Sequence, residues 1–431
     1  MDQPYVEVSG GRPLSGAVAV SGSKYSALAS LPAALLTIED VTVQNVPQTL
    51  DVALYLRILN SIGARAAWTA PGAITINARD VSPGPCPHRE ATRFRASYYL
   101  IGALLGRFGF AEVPLPGGDD IGPRPVDQHL KGFRALGADV GLEHGLLRAV
   151  APKGGLRGAT IYLDVESVGA TINLMLAAVK AVGETEIRNA YRAPFIVDVA
   201  SMLNAMGARI RGAGTSVVRI RGVSELHGAT HGLVFDQTEA ATFMVAACAT
   251  QGRVRITDVI PDHLEAISAK LREAGAQIES DDDTVEAGAS GRLKALEVTT
   301  LPHPGFYTDF QQPMTALLAT AEGTSTVTET VWEERFRFVE ELNRMGARIS
   351  VHGRTAVIEG RPRLSGAIVR ATDIRAGAAL IVAGLAADGT TQILRPHHIR
   401  RGYEDIVGKL QTLGASIRWC GDEDANEDRG V

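Results

Sequence analysis

The residues best suited to chemistry concentrate in one stretch, LPGGDDIGPRPVDQH, from Leu115 to His129. Gly117, Gly118 and Gly122 let the backbone approach a ligand or take positive φ, and Pro123 and Pro125 stiffen the turn that carries Arg124. Asp119 and Asp120 have the chemistry to give or take a proton, and the Arg124 guanidinium can grip a phosphate or carboxylate through two parallel hydrogen bonds. Taken alone, the stretch also reads as a solvated glycine and proline loop. Other segments of similar character are SGSKYSAL around Lys24, RFRASYY around Arg95, and the C-terminal set PGFYTDFQQP, EERFRF, ATDIRAG and HHIRRGY.

The elements that must position these side chains form a repeat. One phrase recurs as ILNSIGARA at Gly63, FRALGADV at Gly137, LNAMGARI at Gly207, LREAGAQI at Gly275, LNRMGARI at Gly346 and LQTLGASI at Gly414, spaced by about 70 residues. Each is a helix stopped by glycine and followed by an alternating strand. A second phrase keeps step with it, from AALLTIEDVTVQNV through AAVKAVGETEIRNA to AGLAADGTTQILRP, and reads as a small-residue helix end, a turn and a β-branched strand. Helices that are apolar around most of their circumference belong inside a core. The pattern predicts an α/β protein of two domains with three repeats each, in which buried helices are walled by sheets. An open solenoid for protein binding is the competing architecture, and the long repeat disfavours it. The unrepeated segments are where function should lie.

Composition removes several classes. A chain of 431 residues exceeds one ordinary core. A net charge of −5 with interspersed signs lacks the basic footprint of a nucleic-acid binder. Cys86, Cys248 and Cys420 have no metal spacing, and Cys248 lies in the apolar run FMVAACA. Neither a leader nor a membrane-spanning run is apparent, so a cytoplasmic protein with no membrane partner is expected.

GSK at Gly22 to Lys24, RAS at Arg95 to Ser97, PGGDDIGPRPVDQH, SVGAT from Ser167, TDFQQP from Thr308, ERF from Glu334, TDIRAG from Thr372 and RGYE from Arg401 occur in this order. In that order they resemble the enolpyruvyl transferases, above all the UDP-N-acetylglucosamine branch of cell-wall synthesis and more distantly the shikimate-pathway branch. The resemblance implies two inside-out α/β barrel domains of six repeated βαβαββ-type units, with residues 1–23 plus 234–431 in one and 24–233 in the other. It implies an active site in a cleft between domains. The reaction implied is transfer of the enolpyruvyl group of phosphoenolpyruvate to a hydroxyl, with release of phosphate and no metal or other cofactor.

On this resemblance Lys24, Arg95, Arg124, Arg335, Arg375 and Arg401 fall at the family's cationic positions, and Lys24 and Arg401 are assigned to catalysis. Asp119 stands where many cell-wall enzymes carry a loop cysteine and is expected to be the acid toward carbon, its pKa raised by burial or by Asp120. Asp309 is expected to be the base toward the acceptor hydroxyl. Tyr25, Pro125, Val126, Asp127, Ser167, Val168, Gly169 and Asp373 complete the substrate-binding set. Asp373 and Arg375 also admit a simple pairing with each other, His397 and His398 read as surface residues, and Arg107 and Arg134 as solvated faces. The terminal run GDEDANEDRG reads as disordered.

Departures from the family pattern concern the acceptor. Tyr25 replaces an asparagine that contacts the sugar, Ala193 and Phe195 replace acids, Tyr307 replaces a proline and Arg400 an acid. A bulky ring beside an intact RPVDQH points to a uridine nucleotide with a smaller sugar or none, and so to the 3′-hydroxyl of UMP, as in nucleoside-antibiotic pathways. UDP-N-acetylglucosamine is the alternative acceptor. A catalytically silent nucleotide-binding paralogue is the alternative of another class. Because a carboxylate is a poorer nucleophile than a thiolate, an epoxide inhibitor that alkylates the loop cysteine is expected to leave this protein active. Residual activity after prolonged incubation measures this, and progressive inactivation with covalent label on the loop would contradict it.

Overall fold

A computed structural model describes residues 3–84 and 86–421. The acidic run after Gly421, read above as disordered, lies outside the described residues. The fold is mixed α/β, and the chain divides into two compact units. The first comprises the chain up to Ser21, Asp120–Gly122 and everything from Phe235 onward; the second comprises Gly22–Asp119 and Pro123–Val234.

Sheets repeat as the sequence phrases do. Among the described residues there are five four-stranded sheets and one three-stranded sheet. In the second unit, the short edge strand Thr160–Tyr162 runs parallel to Glu184–Arg188, which pairs antiparallel with Val217–Arg221, itself paired with Arg209–Arg211. The same order recurs around Asp40–Gln44, with Thr230–Gly232 as its parallel edge. In the first unit it recurs around Arg253–Thr257 and Thr324–Thr328. Among the described residues the sheet around Phe110–Pro114 has no parallel edge strand. Around Thr390–Leu394, the middle antiparallel place is taken by the N-terminal strand Tyr5–Ser9, which then pairs with Ser416–Cys420.

A parallel pair requires a crossover, and the buried helix supplies it. Helix Val168–Ala178 joins Thr160–Tyr162 to Glu184–Arg188 and is buried from Gly169 to Ala178. Within the first unit, helices Gln237–Ala249, Gln311–Leu318 and Ile374–Ala386 pack against one another. Within the second, Leu100–Phe108 packs on Val168–Ala178. Gly102 is required there, because a Cβ on it would fall 2.4 Å from the Asn173 carbonyl oxygen. No helix among the described residues is long and apolar enough to cross a membrane.

The glycine phrases become six helix stops. Helices Leu50–Ser61, Asp127–Ala135, Pro194–Ala205, Glu265–Glu273, Val339–Arg344 and Ile406–Thr412 each run into a glycine whose φ lies between +87° and +99°. Only glycine takes this conformation without strain, and it releases the chain into the next strand. Three residues before each glycine, a long polar side chain reaches six residues ahead to that strand's backbone. Asn60, Arg134, Asn204, Arg272, Asn343 and Gln411 make these braces over 2.6–3.2 Å. The three asparagines both donate to the carbonyl oxygen and accept from the N–H. Arg134 is therefore exposed, as expected, yet not merely solvated. Arg107 departs further from the solvated reading: its guanidinium donates to the carbonyl oxygens of Leu35 and Ala78, each at 2.8 Å.

Asn343→Ala leaves both backbone groups of the buried Ile349 without the brace, and the expected loss is about 1–3 kcal/mol of unfolding free energy. A lower urea midpoint at unchanged slope checks it. Arg134→Ala, which removes one bond at an exposed site, is expected to cost less; equal losses would contradict the reading of the brace.

Candidate active site

In the second unit the site begins with a buried cation. Ser23 caps helix Lys24–Ser30 by accepting from the Ser26 N–H, which places Lys24 at the first helical position. Lys24 is 4 % exposed and its Nζ lies 2.7 Å from Asp51 Oδ2, itself 2 % exposed and in the first turn of Leu50–Ser61. Removing one member of such a pair typically costs about 3–5 kcal/mol, because the other charge stays buried. Asp51 was not among the residues read from sequence. The signal for it is physical: a lysine set among small apolar residues needs an acid.

The 115–129 stretch passes close to Arg95. Gly118 has φ +111°, and a Cβ on it would lie 3.0 Å from the Arg124 guanidinium and 3.3 Å from the Arg95 backbone nitrogen. A Cβ on Gly117 would strike the Thr92 carbonyl oxygen at 1.8 Å. Both glycines are needed for this approach. Arg95 donates to the Arg124 carbonyl oxygen at 2.8 Å and lies over the Tyr98 ring at 4.9 Å. Asp119 is half-buried. Asp120 is exposed and pairs with Arg337, which also pairs with Glu334.

Pro125 is exposed and Val126 is buried. Asp127 starts helix Asp127–Ala135 and accepts from Gln128, which also bonds Asp164. Hydrogen bonds from Lys131 and then Gln128 hold the Asp164 carboxyl below its ordinary range. Ser167 caps Val168–Ala178 by accepting from the Ala170 N–H, with Val168 half-buried behind it. Gly169 is tight against Tyr98, whose hydroxyl oxygen would lie 2.0 Å from an added Cβ.

Two aromatic clusters lie among these pieces. Tyr191 stacks on Phe195 at 6.2 Å, and Phe195 meets Tyr25 at 5.5 Å. Tyr98 stacks on Tyr99 at 4.7 Å and meets His129 edge-on at 4.8 Å. Burial raises the Tyr99 phenol well above its ordinary pKa, with Tyr98 and Tyr25 adding to the shift. Asn173 accepts from the Gly102 N–H and donates to both the Tyr98 carbonyl oxygen and His129 Nδ1. An accepting Nδ1 assigns the His129 proton to Nε2. Burial, with Arg95 nearby, pushes the His129 pKa down to about 3, so the ring is neutral at physiological pH.

In the first unit the centre is a carboxylate between two guanidinium groups. Asp309 Oδ1 accepts from Arg335 at 2.6 Å and Oδ2 from Arg375 Nε at 2.9 Å, and all three residues are at most 4 % exposed. Asp373 and Arg375 do not pair through their side chains as the simpler reading had it. Asp373 caps helix Ile374–Ala386, accepting from the backbone N–H groups of Arg375 and Ala376, and also accepts from Gln312. The Arg375 guanidinium lies 5.3 Å from the Tyr403 ring. Burial raises the Tyr403 phenol, against the lowering influence of Arg375 and of Thr242, which shares a 2.9 Å hydrogen bond with it.

Arg401 is half-exposed on helix His397–Gly402, while Arg400 stacks over Trp419 at 4.6 Å. His397 and His398 are half-buried with ring centroids 4.3 Å apart, not plain surface residues. Cys86 and Cys248 are buried, and burial pushes both thiols up to about 12, which makes them poor nucleophiles. Among the described residues no group of three or more His, Cys, Asp or Glu is placed to hold a metal ion.

Residues 8–410 match the EPSP synthase (3-phosphoshikimate 1-carboxyvinyltransferase) family. The chain is 50 % identical over 410 residues to UDP-N-acetylglucosamine 1-carboxyvinyltransferase 2 of Bacillus cereus, covering 95 % of each chain. It is 51 % identical over 410 residues to UDP-N-acetylglucosamine 1-carboxyvinyltransferase 3 of Caldanaerobacter subterraneus, covering 95 % of this chain and 98 % of the relative. Among solved structures it superposes on the enolpyruvyl transferase NikO from Streptomyces tendae with TM-score 0.86 at 30 % identity, covering 97 % and 99 %. EPSP synthase from Acinetobacter baumannii shares the fold, at TM-score 0.76 and 19 % identity over 97 % and 100 %. Matched to the family over nearly its whole length, the chain belongs to the EPSP synthase family of enolpyruvyl transferases and is a 1-carboxyvinyltransferase.

Proposed function

We propose that this enzyme transfers the enolpyruvyl group of phosphoenolpyruvate to the 3-hydroxyl of UDP-N-acetylglucosamine and releases inorganic phosphate. The observation that carries this reading is the 50 % identity, over 95 % of both chains, with a UDP-N-acetylglucosamine 1-carboxyvinyltransferase. It replaces UMP as the favoured acceptor. UMP stays as a second reading because of one contact: Tyr25 packs on Phe195, so the two departures nearest the sugar form a single aromatic surface.

Phosphoenolpyruvate brings a phosphate and a carboxylate, and Lys24, Arg95, Arg124, Arg335, Arg375 and Arg401 are the cations assigned to offset them. Asp119 protonates the methylene carbon, which makes the neighbouring carbon electrophilic. Asp309 takes the proton of the acceptor hydroxyl as its oxygen attacks that carbon. In the second step the new methyl group gives a proton back to the Asp119 carboxylate, the bond from carbon to the phosphate oxygen breaks, and phosphate leaves with the proton that Asp309 took from the acceptor. Pro125, Val126 and Asp127 are assigned to the uridine, and Ser167, Val168 and Gly169, at a helix N-terminus, to its phosphates. Closure of each unit's three sheets around its helices, as an inside-out barrel, is the architecture we assign to this scaffold.

Phosphate release with phosphoenolpyruvate plus UDP-N-acetylglucosamine, but not with phosphoenolpyruvate plus UMP, is the expected outcome; the reverse pattern would establish the second reading, and release with neither would contradict both. Asp119→Asn is expected to lower kcat by about 100-fold or more with the melting temperature unchanged. Full turnover by that variant would remove Asp119 from the acid's role.

A further inference from the structure

We infer that Glu329 is a positioning residue that aims Asp309 and Arg335 together, an inference that rests on the role proposed for Asp309. Glu329 follows strand Thr324–Thr328 and is 1 % exposed. Its carboxylate accepts four hydrogen bonds. Oε1 takes the Thr300 hydroxyl at 2.8 Å and the N–H groups of Val331 at 2.7 Å and Trp332 at 3.1 Å. Oε2 takes the Thr308 hydroxyl at 2.8 Å. The Thr300 hydroxyl oxygen accepts in turn from the Thr330 N–H at 2.9 Å.

Three of these bonds bracket the Asp309 cluster. Thr308 immediately precedes Asp309 in the short 3-10 turn Thr308–Phe310. Val331 and Trp332 begin the turn that delivers Arg335, whose guanidinium donates to Asp309 at 2.6 Å. One buried acceptor thus sets the backbone on both sides of the Asp309–Arg335 pair. Glu329 touches neither Asp309 nor Arg335 among these bonds, so it acts through their backbone segments. A group that does only this is needed for its shape and acceptors and not for its charge.

Glutamine tests that distinction. Its oxygen can replace Oε1 toward Thr300, Val331 and Trp332, while its NH2 replaces Oε2 and donates to Thr308, whose hydroxyl turns to accept. In the full chain, with whichever acceptor supports phosphate release, Glu329→Gln is expected to keep kcat within about threefold. Glu329→Ala is expected to lower kcat about 10- to 100-fold, as misplacement of a reacting group does, and to raise the phosphoenolpyruvate KM, because Arg335 is among the cations assigned to that substrate. Thr308→Val, which cuts one attachment, is expected to fall between them and serves if the alanine variant does not fold.

Turnover of Glu329→Ala or Thr308→Val at the parent's rate would overturn the inference, as would a glutamine variant no better than alanine. Amide hydrogen exchange gives a readout independent of turnover and so of the proposed reaction. Both Thr308–Phe310 and Val331–Trp332 are expected to exchange faster in Glu329→Ala, or in Thr308→Val at the first segment, and unchanged exchange at Thr308–Phe310 in either would again overturn it.

Discussion

Buried charge is the constraint on which this structure turns. Lys24 with Asp51, and Asp309 with Arg335 and Arg375, sit out of reach of solvent. Taking each ion out of water costs several kcal/mol, and apolar residues of similar volume usually serve stability as well or better. Stability alone therefore gives no reason for these groups. The role proposed for them, offsetting the two anionic groups of the donor, supplies one, because cations already desolvated and held in place act at low dielectric without reorganising. The helix caps and the Glu329 clamp have in common that they hold such groups, or the segments that carry them, in one orientation.

The scaffold that performs the holding is repetitive and chemically quiet. Six helices stop at glycines of positive φ, and six side chains brace the strands that follow. The glycines were legible because no other residue takes that conformation cheaply, so the phrase recurs with little change. The braces were not, since Asn, Arg and Gln serve interchangeably; what they share is reach to a backbone group six residues on, not side-chain type. Nor did local pattern disclose that Tyr5–Ser9 would occupy the middle of the sheet around Thr390–Leu394. Strand partners distant in sequence leave no trace in the periodicity of either strand.

The candidate cations stand out in the sequence by type and neighbours, their partners do not. Lys24 stands out among small apolar residues, whereas Asp51 looks like an ordinary acid in the first turn of a helix until the structure pairs them. Arg375 lies two residues from Asp373, and proximity in sequence offers that pairing as readily as any other: the aspartate is committed to the helix cap, and the guanidinium goes to Asp309. Arg107 resembled a surface charge, but its five donors suit it to gather the carbonyl oxygens that helix and strand ends leave over. Tyr25 and Phe195 were read as two independent departures and are one contact.

The claim at the centre is that Lys24 and Arg401 serve a phosphoenolpyruvate molecule and not the fold. Calorimetric titration of phosphoenolpyruvate, in the presence of saturating acceptor at a temperature where turnover is negligible, tests it most directly. Lys24→Gln and Arg401→Gln, each with its melting curve recorded, are predicted to weaken binding at least about tenfold, the value of a charge-assisted hydrogen bond. Folded variants that both bind with the parent's affinity would contradict the account.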